Sequence, residues 1–141
     1  MAYCSQSDLE DRYGETEIIE RTDRTNTPPT TVDTGVLGKA IADADAEINA
    51  RLAVRYAVPL ASPPVVLTRW ACSITRFFLY QDLAQDNPIV QEYQRVLKSL
   101  DQVAAGKLDL GPDVGGNEAM PASDAVQFGG DNRDFARAEA W

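Results

Sequence analysis

Residues 34–56 of the chain read TGVLGKAIADADAEINARLAVRY. The apolar side chains in this stretch recur at steps of three and four residues, at Leu37, Ile41, Ala44, Ile48 and Leu52. Such spacing places them on one face of an α-helix. The stretch therefore predicts a long amphipathic helix that packs against the rest of the protein through a single apolar stripe.

Two more long helices are predicted after this one. Three prolines between residues 59 and 64 interrupt the pattern, and Pro64 suits the first turn of a new helix, where its missing N–H costs nothing. Residues 65–83 are apolar on more than one face, which indicates a helix at the centre of the core. Pro88 opens a third helix with one apolar stripe, and Gly106 ends it.

The N-terminal residues predict shorter elements. Ser7 and Glu10 have the spacing of a capping box, which predicts a helix over residues 8–13 that the following glycine stops. A second short helix is predicted over residues 15–21. Residues 22–34 contain two prolines among turn-forming residues, so we expect an exposed loop there.

The predicted fold class is all-α, a small antiparallel bundle over residues 1–106 with an extended tail over residues 107–141. Glycine, proline, aspartate and alanine dominate the tail, and no sustained apolar period survives in it. It is nevertheless richer in aromatic side chains than a solvated linker. We expect the tail to become ordered on a partner, with Phe128, Phe135 and Trp141 as its anchors.

Composition excludes several classes of function. The 141 residues carry a formal charge of −9 with a pI near 4.4, whereas nucleic-acid binding depends on Lys and Arg to neutralise phosphates. No stretch approaches the roughly 20 apolar residues of a membrane-spanning helix. The polar first residues do not resemble a signal peptide. We therefore expect a cytoplasmic protein that binds neither DNA specifically nor a membrane.

The residue types that support catalysis are sparse. Histidine is absent, which removes the commonest general base and the commonest metal ligand. Cys4 and Cys72 are far apart in sequence, so they suggest neither a clustered metal site nor a disulfide framework, and we expect Cys72 to be a buried structural thiol. The sequence predicts that the protein is not an enzyme and uses no cofactor or metal.

Two sets of charged residues could form either a functional site or structural salt bridges. Asp43 and Glu47 share one face of the predicted helix while Asp45 diverges from them, and Arg51 follows Glu47 by one turn. This arrangement favours a solvated face with salt bridges over a metal site.

Arg69 and Arg76 are seven residues apart and share a face of the most apolar helix. A buried arginine needs a carboxylate partner, for which Asp43, Asp45 and Asp82 are candidates. For these arginines, an intramolecular or intersubunit salt bridge is favoured over an anion-binding pair. The anion-binding pair stays open as an alternative.

Several segments carry a resemblance to the small neck proteins of Mu-like prophages. They are YCSQSDL at residues 3–9, RYG at 12–14, TDR at 22–24, ADADAEI at 42–48, Leu52, RY at 55–56, PL at 59–60, ACSITR at 71–76, LY at 79–80 and GKL at 106–108. The resemblance covers the chain up to about residue 111, and the tail resembles the family only loosely.

The resemblance implies a head-completion or head–tail adaptor protein. Members of that family form a ring, typically of twelve helical subunits, beneath the portal of a tailed phage, without activity or cofactor. It implies a portal protein above the ring, a tail-side neck or tail terminator protein below it, and genomic DNA that passes through without specific binding. The expected location is the neck of the virion, and the host cytoplasm during assembly.

Two alternatives remain at this stage. A small acidic inhibitor or DNA mimic would occupy the nucleic-acid site of a basic protein, and it would carry its acids on one dense face. A carboxylate-dependent metal enzyme would need several acids that converge on one pocket. A ring subunit would instead have dispersed acids and apolar lateral flanks.

Overall fold

The computed structural model describes residues 2–111 of the chain, and its helices confirm the all-α prediction. They are α1 (Gln6–Tyr13), α2 (Glu15–Thr22), α3 (Thr34–Leu52), α4 (Val65–Leu79) and α5 (Pro88–Ala104). Three long helices and two short N-terminal ones thus form the described part of the protein.

Helix α4 lies at the centre of the bundle and packs against α1, α3 and α5. Val36 at the start of α3 and Leu79 at the end of α4 line one shared depression, so these helices run in opposite directions. An ion pair between Arg51 and Asp101 joins the C-terminal ends of α3 and α5. The fully buried side chains of α4 are Leu67, Ala71, Cys72, Ile74 and Thr75. The prediction that this helix occupies the core is confirmed.

Helix α1 begins earlier than predicted, because Ser5 rather than Ser7 is its N-cap. The Ser5 hydroxyl accepts the Asp8 backbone N–H at 3.2 Å, and the Asp8 carboxylate accepts the Ser5 N–H at 2.9 Å, which completes a capping box. The assignment to Ser7 and Glu10 was wrong. Buried Cys4 just before the cap and buried Leu9 on the first turn have the positions of a hydrophobic staple, which favours the observed start.

Two predicted helix ends also lie too far along the chain. Helix α3 ends at Leu52 and not at Tyr56, because the N–H groups of Arg55 and Tyr56 both donate to the Leu52 carbonyl and turn the chain so that Tyr56 is buried. Helix α4 ends at Leu79 and not at residue 83. Tyr80 adopts an extended backbone and Asp82 a left-handed one, with φ of 58°.

The residues before α1 belong to the core, which the sequence pattern did not predict. Tyr3 is only 3 % exposed, and its hydroxyl donates to Asn49 Oδ1 on α3 while accepting the Leu60 N–H at 3.1 Å. Its own backbone N–H donates to the Asp45 carboxylate at 3.0 Å. The side chain therefore ties the N-terminal segment to α3 and to the α3–α4 connection.

Removing the Tyr3 hydroxyl is expected to destabilise the fold measurably. Tyr3→Phe leaves the buried Leu60 N–H without its acceptor, which costs about 1–3 kcal/mol. Tyr56→Phe is the matched control, because the buried Tyr56 hydroxyl has no hydrogen-bond partner among the described residues. Urea unfolding of both variants should show a loss for Tyr3→Phe and little change or a gain for Tyr56→Phe. Equal losses would contradict this account of the N-terminal anchor.

Candidate functional site

A cleft of about 370 Å³ opens where α1, α4 and α5 meet. Four arginines and four other residues line it: Arg12, Arg69, Arg76 and Arg95, with Tyr13, Ser73, Pro88 and Glu92. We call it the arginine cleft. Such a concentration of guanidinium groups is unexpected in a chain whose formal charge is −9, so the cleft is the first candidate for a binding surface.

Helix spacing explains how the arginine cleft forms. Arg69, Ser73 and Arg76 follow one another at four- and three-residue steps, which places them on one face of α4. Arg12 lies in the last turn of α1 and Arg95 two turns into α5. Because α1 and α5 both pack against α4, their arginines border the α4 face from two sides.

The four guanidinium groups differ in how they are neutralised. Arg76 forms a two-point ion pair with Glu17 of α2, at 2.7 and 3.1 Å, and lies 4.3 Å from the centre of the Tyr13 ring. Arg95 pairs with Glu92 at 2.6 Å. Arg12 and Arg69 are exposed and have neither an ion pair nor a side-chain hydrogen bond within residues 2–111. Two cationic groups of the cleft are therefore available to a ligand.

The predictions for Arg69 and Arg76 are met in part. The two side chains do share one face of α4 and one cleft. Arg76 pairs with Glu17 and not with any of the three predicted aspartates, because α2 folds back toward the end of α4. Arg69 is exposed and has no ion pair within residues 2–111, and an intersubunit pair for it stays a prediction.

On the acidic face of α3, the predicted salt bridge is present between Glu47 and Arg51. Arg51 binds Glu47 at 3.1 Å and also pairs with Asp101 of α5. Asp43 is exposed and has no ion pair within residues 2–111, while Asp45 accepts the Tyr3 N–H. Asp45 and Glu47 therefore have different partners and Asp43 has none among the described residues, so these carboxylates form no common site. Among the described residues, no group of three His, Cys, Asp or Glu side chains could hold a metal ion.

The two cysteines, distant in sequence, are neighbours in the core. Both are buried and free, and Cys4 Sγ lies 3.6 Å from Thr75 Oγ1 of α4. A hydrogen bond with the Cys4 thiol, together with burial, raises the pKa of Cys72. The spacing in sequence gave no sign of this proximity, which arises because the N-terminal segment folds over α4. Burial and a raised pKa make Cys72 an unreactive thiol.

The loop between α2 and α3 is organised by a carboxylate. Asp23 is 6 % exposed, and one of its oxygens accepts hydrogen bonds from the Asn26 side chain and from the Thr30 and Thr31 N–H groups at 2.8–3.2 Å. The expectation of a wholly exposed loop was therefore wrong at Asp23 and at Thr22, which is fully buried. The hydrogen bonds from Asn26 and then from Thr30 hold the Asp23 pKa well below its usual range.

This depressed pKa predicts a pH dependence of stability. Because the folded-state pKa of Asp23 is lowered, its contribution is present above the unfolded value of about 4 and is lost as the pH falls. Asp23→Asn replaces an acceptor oxygen by a donor, so the variant should melt below the wild type at pH 7. Thermal melts should show this difference closing as the pH falls below about 4. Asp43→Asn, at an exposed position, is the control, and an equal pH-dependent difference there would refute the assignment.

The large exposed apolar side chains of residues 2–111 lie at the same end of the bundle. They are Val54 (71 % exposed), Val65 (78 %) and Leu108 (38 %). Val54 follows α3, Val65 begins α4 and Leu108 follows α5, and Arg55 donates to the carbonyls of Val103 and Leu108. We call this surface the apolar end. Because α3 and α5 end where α4 begins, a partner that packs on this end would cover all three side chains.

Exposed acids are dispersed over the bundle. They include Asp11 on α1, Glu20 on α2, Asp43 on α3 and Asp101 on α5. Within the described residues they do not form the single dense face that a DNA mimic would present. The lateral flanks are not simply apolar either, since the side of α4 carries the arginine cleft.

Comparison with known proteins places this architecture in a family. The profile of the family described as "Bacteriophage Mu, Gp36" matches residues 3–128. Gene product J of Escherichia phage Mu is 32 % identical over 139 residues, an alignment that spans 99 % of this chain and 97 % of that protein. The chain belongs to the Gp36 family of bacteriophage Mu. The Mu-like prophage FluMu protein gp36 of Haemophilus influenzae is 36 % identical over 80 residues, or 57 % of this chain and 56 % of that protein.

Membership of the Gp36 family confirms the resemblance to a Mu-like phage protein. The family match extends past the described residues to Phe128, so it includes part of the C-terminal tail. The predicted anchors Phe128, Phe135 and Trp141 lie outside the described residues. Within the described part of this Gp36 protein, no helix is long and apolar enough to span a membrane.

Proposed function

We propose that this protein is a head–tail connector, a virion structural protein that forms a ring beneath the portal of a Mu-like phage. The observation that carries the proposal is the match to a phage Mu protein over almost the whole length of both chains. A phage protein of this size with one helical bundle is suited to a structural role in the virion. The portal protein would lie above the ring and a tail-side neck or tail terminator protein below it.

The described surfaces suit a subunit that makes two kinds of contact. A closed ring needs a lateral contact in which one flank of each copy meets a different flank of the next. It also needs an axial contact with the partner that it stacks on. The arginine cleft on the side of the bundle supports the first contact, and the apolar end, with Val54, Val65 and Leu108, supports the second.

The charge of the protein supports a passage for DNA. Fixed positive charges around a channel would hold phosphates, and a formal charge of −9 over the whole chain opposes this. In the proposed ring, twelve copies surround DNA that passes without specific binding. No catalytic activity, cofactor or metal forms part of the proposal.

Complementation of a phage that lacks this gene tests the proposal. Without a connector, infected cells should accumulate DNA-filled heads and separate tails, and a plasmid copy of the full chain should restore joined particles. Electron microscopy of the lysates distinguishes the two populations. Joined, infectious particles in the absence of the protein would exclude the connector role.

The DNA-mimic alternative predicts a different outcome. A mimic would bind a basic host or phage protein in solution, and the lysates would contain joined particles with or without it. The dispersion of exposed acids over four helices gives this alternative no support among the described residues.

A further inference from the structure

We propose that the arginine cleft is the docking site for the acidic, aromatic C-terminal segment, residues 112–141, of an adjacent copy of this protein. The inference rests on the proposed ring and deepens it, because it names the contact that joins one subunit to the next. It starts from Arg12 and Arg69, which are exposed at the cleft without an ion pair in the described part of the chain.

Charge complementarity selects the segment. Of the 30 residues from 112 to 141, six are acidic and two are basic. Asp131, Asp134 and Glu139 lie within four residues of the predicted anchor Phe135, and the two basic residues of the segment, Arg133 and Arg137, lie there as well. Carboxylates form strong two-point hydrogen bonds with guanidinium groups, so the acidic side chains of the segment can pair with Arg12 and Arg69.

The wall of the cleft also suits an aromatic side chain. Tyr13 and Pro88 contribute ring surfaces, and Arg76 already lies against the Tyr13 ring at 4.3 Å from its centre. A ring inserted beside them would gain apolar contact and cation–π attraction from the neighbouring guanidinium groups. A cleft of about 370 Å³ is in the size range of pockets that enclose small ligands and side chains.

The same features disfavour a nucleic acid in the cleft. Glu92 lies within it, and Glu17 already neutralises Arg76. An acidic peptide can place single carboxylates on Arg12 and Arg69, whereas a duplex presents an unbroken row of phosphates to this mixed surface.

The length of the segment allows it to reach a neighbour. The described chain ends at Gly111, beyond α5, and thirty further residues can extend to about 100 Å. In a closed ring with head-to-tail contacts, each copy donates one element and receives another. Exchange of this segment around the ring would satisfy that requirement, and the several contacts together would stabilise the ring more than any one of them alone.

Photo-crosslinking of the full-length protein tests the inference. Phe135 is replaced by p-benzoylphenylalanine, and the chain is mixed with an isotopically labelled full-length copy that carries a native Phe135. After irradiation, alone and together with portal protein, mass spectrometry identifies the linked peptides. We expect links from position 135 of one copy to peptides that contain Arg12, Arg69 or Arg95 of the other copy.

Charge reversal and charge exchange make the test specific. The double variant Arg12→Glu/Arg69→Glu should lower the yield of these links about tenfold, the change expected for losing roughly 1.4 kcal/mol of binding. Lys39→Glu/Lys98→Glu changes the charge equally at exposed positions outside the cleft and should leave the yield unchanged. Adding Asp131→Arg/Asp134→Arg in the crosslinking copy should restore the yield with the reversed cleft. Thermal melts check that every variant is folded.

Each outcome bears on the inference separately from the proposed function. Links within one copy only, or a yield that charge reversal leaves unchanged, would overturn the inference even where microscopy shows a ring at the portal. Intermolecular links without any ring would support the inference and count against the connector. If the wild type binds duplex DNA and Arg12→Glu/Arg69→Glu abolishes this binding, the cleft is a phosphate-binding site. That result would overturn the inference as well.

Discussion

A chain that ends after Gly111 is expected to keep its helical fold and to lose the ability to join heads to tails. All the buried core side chains of the described protein lie between Tyr3 and Leu110, so circular dichroism and the melting temperature should change little. The titre in the complementation assay should fall by about 10²- to 10⁴-fold, the range by which multivalent attachment strengthens a contact.

A second variant separates the anchors from the length of the tail. Replacing Phe128, Phe135 and Trp141 by alanine keeps the length and the charge of the segment and removes only the aromatic rings. We expect this full-length variant to lose most of the titre as well, because aromatic residues dominate the energetics of contact surfaces. Truncated protein that supports a normal titre would show that the tail has no essential role.

Replacing Ile74 by alanine is expected to cause the largest loss of stability of any single change considered. Ile74 is fully buried on α4, the helix that packs against α1, α3 and α5. The cavity that Ile74→Ala leaves at the centre of the bundle should cost about 2–5 kcal/mol. Chemical denaturation, followed by circular dichroism, measures this difference directly.

The control for this change lies on the same helix. Val65 is 78 % exposed at the start of α4, and Val65→Ala should change the free energy of unfolding by no more than about 0.5 kcal/mol. Similar losses for the two variants would contradict the placement of α4 in the core. Val65 belongs to the apolar end, so Val65→Ala can be assayed for head–tail joining without a confounding loss of stability.

The helices could be predicted from sequence wherever an apolar period or a proline marked them. The stripe from Leu37 to Leu52 and the prolines at 64 and 88 are local signals, and the structure contains α3, α4 and α5 where they indicate. The end of α4 was missed because the left-handed backbone at Asp82 has no glycine to mark it. The start of α1 was missed because Ser5 and Ser7 both stand three residues before an acid, and only packing at Cys4 and Leu9 separates them.

The candidate site was less accessible to sequence reasoning. The spacing of Arg69 and Arg76 predicts a shared helix face, but it cannot say whether another helix covers that face. Arg12 and Arg95 join the cleft only through the placement of α1 and α5 against α4. The partner of Arg76, Glu17, lies 59 residues away on a different helix. Such contacts depend on the tertiary arrangement of the helices, and no local pattern of residues predicts that arrangement.

The most direct test of the central claim is electron microscopy of purified portal protein, alone and mixed with this protein. The connector account predicts an additional ring of helical subunits at the base of the portal, with the same rotational symmetry in every complex. A monomer of the isolated protein in solution would be compatible with assembly that the portal induces. Portals that gain no density at their base in the presence of excess folded protein would contradict the account.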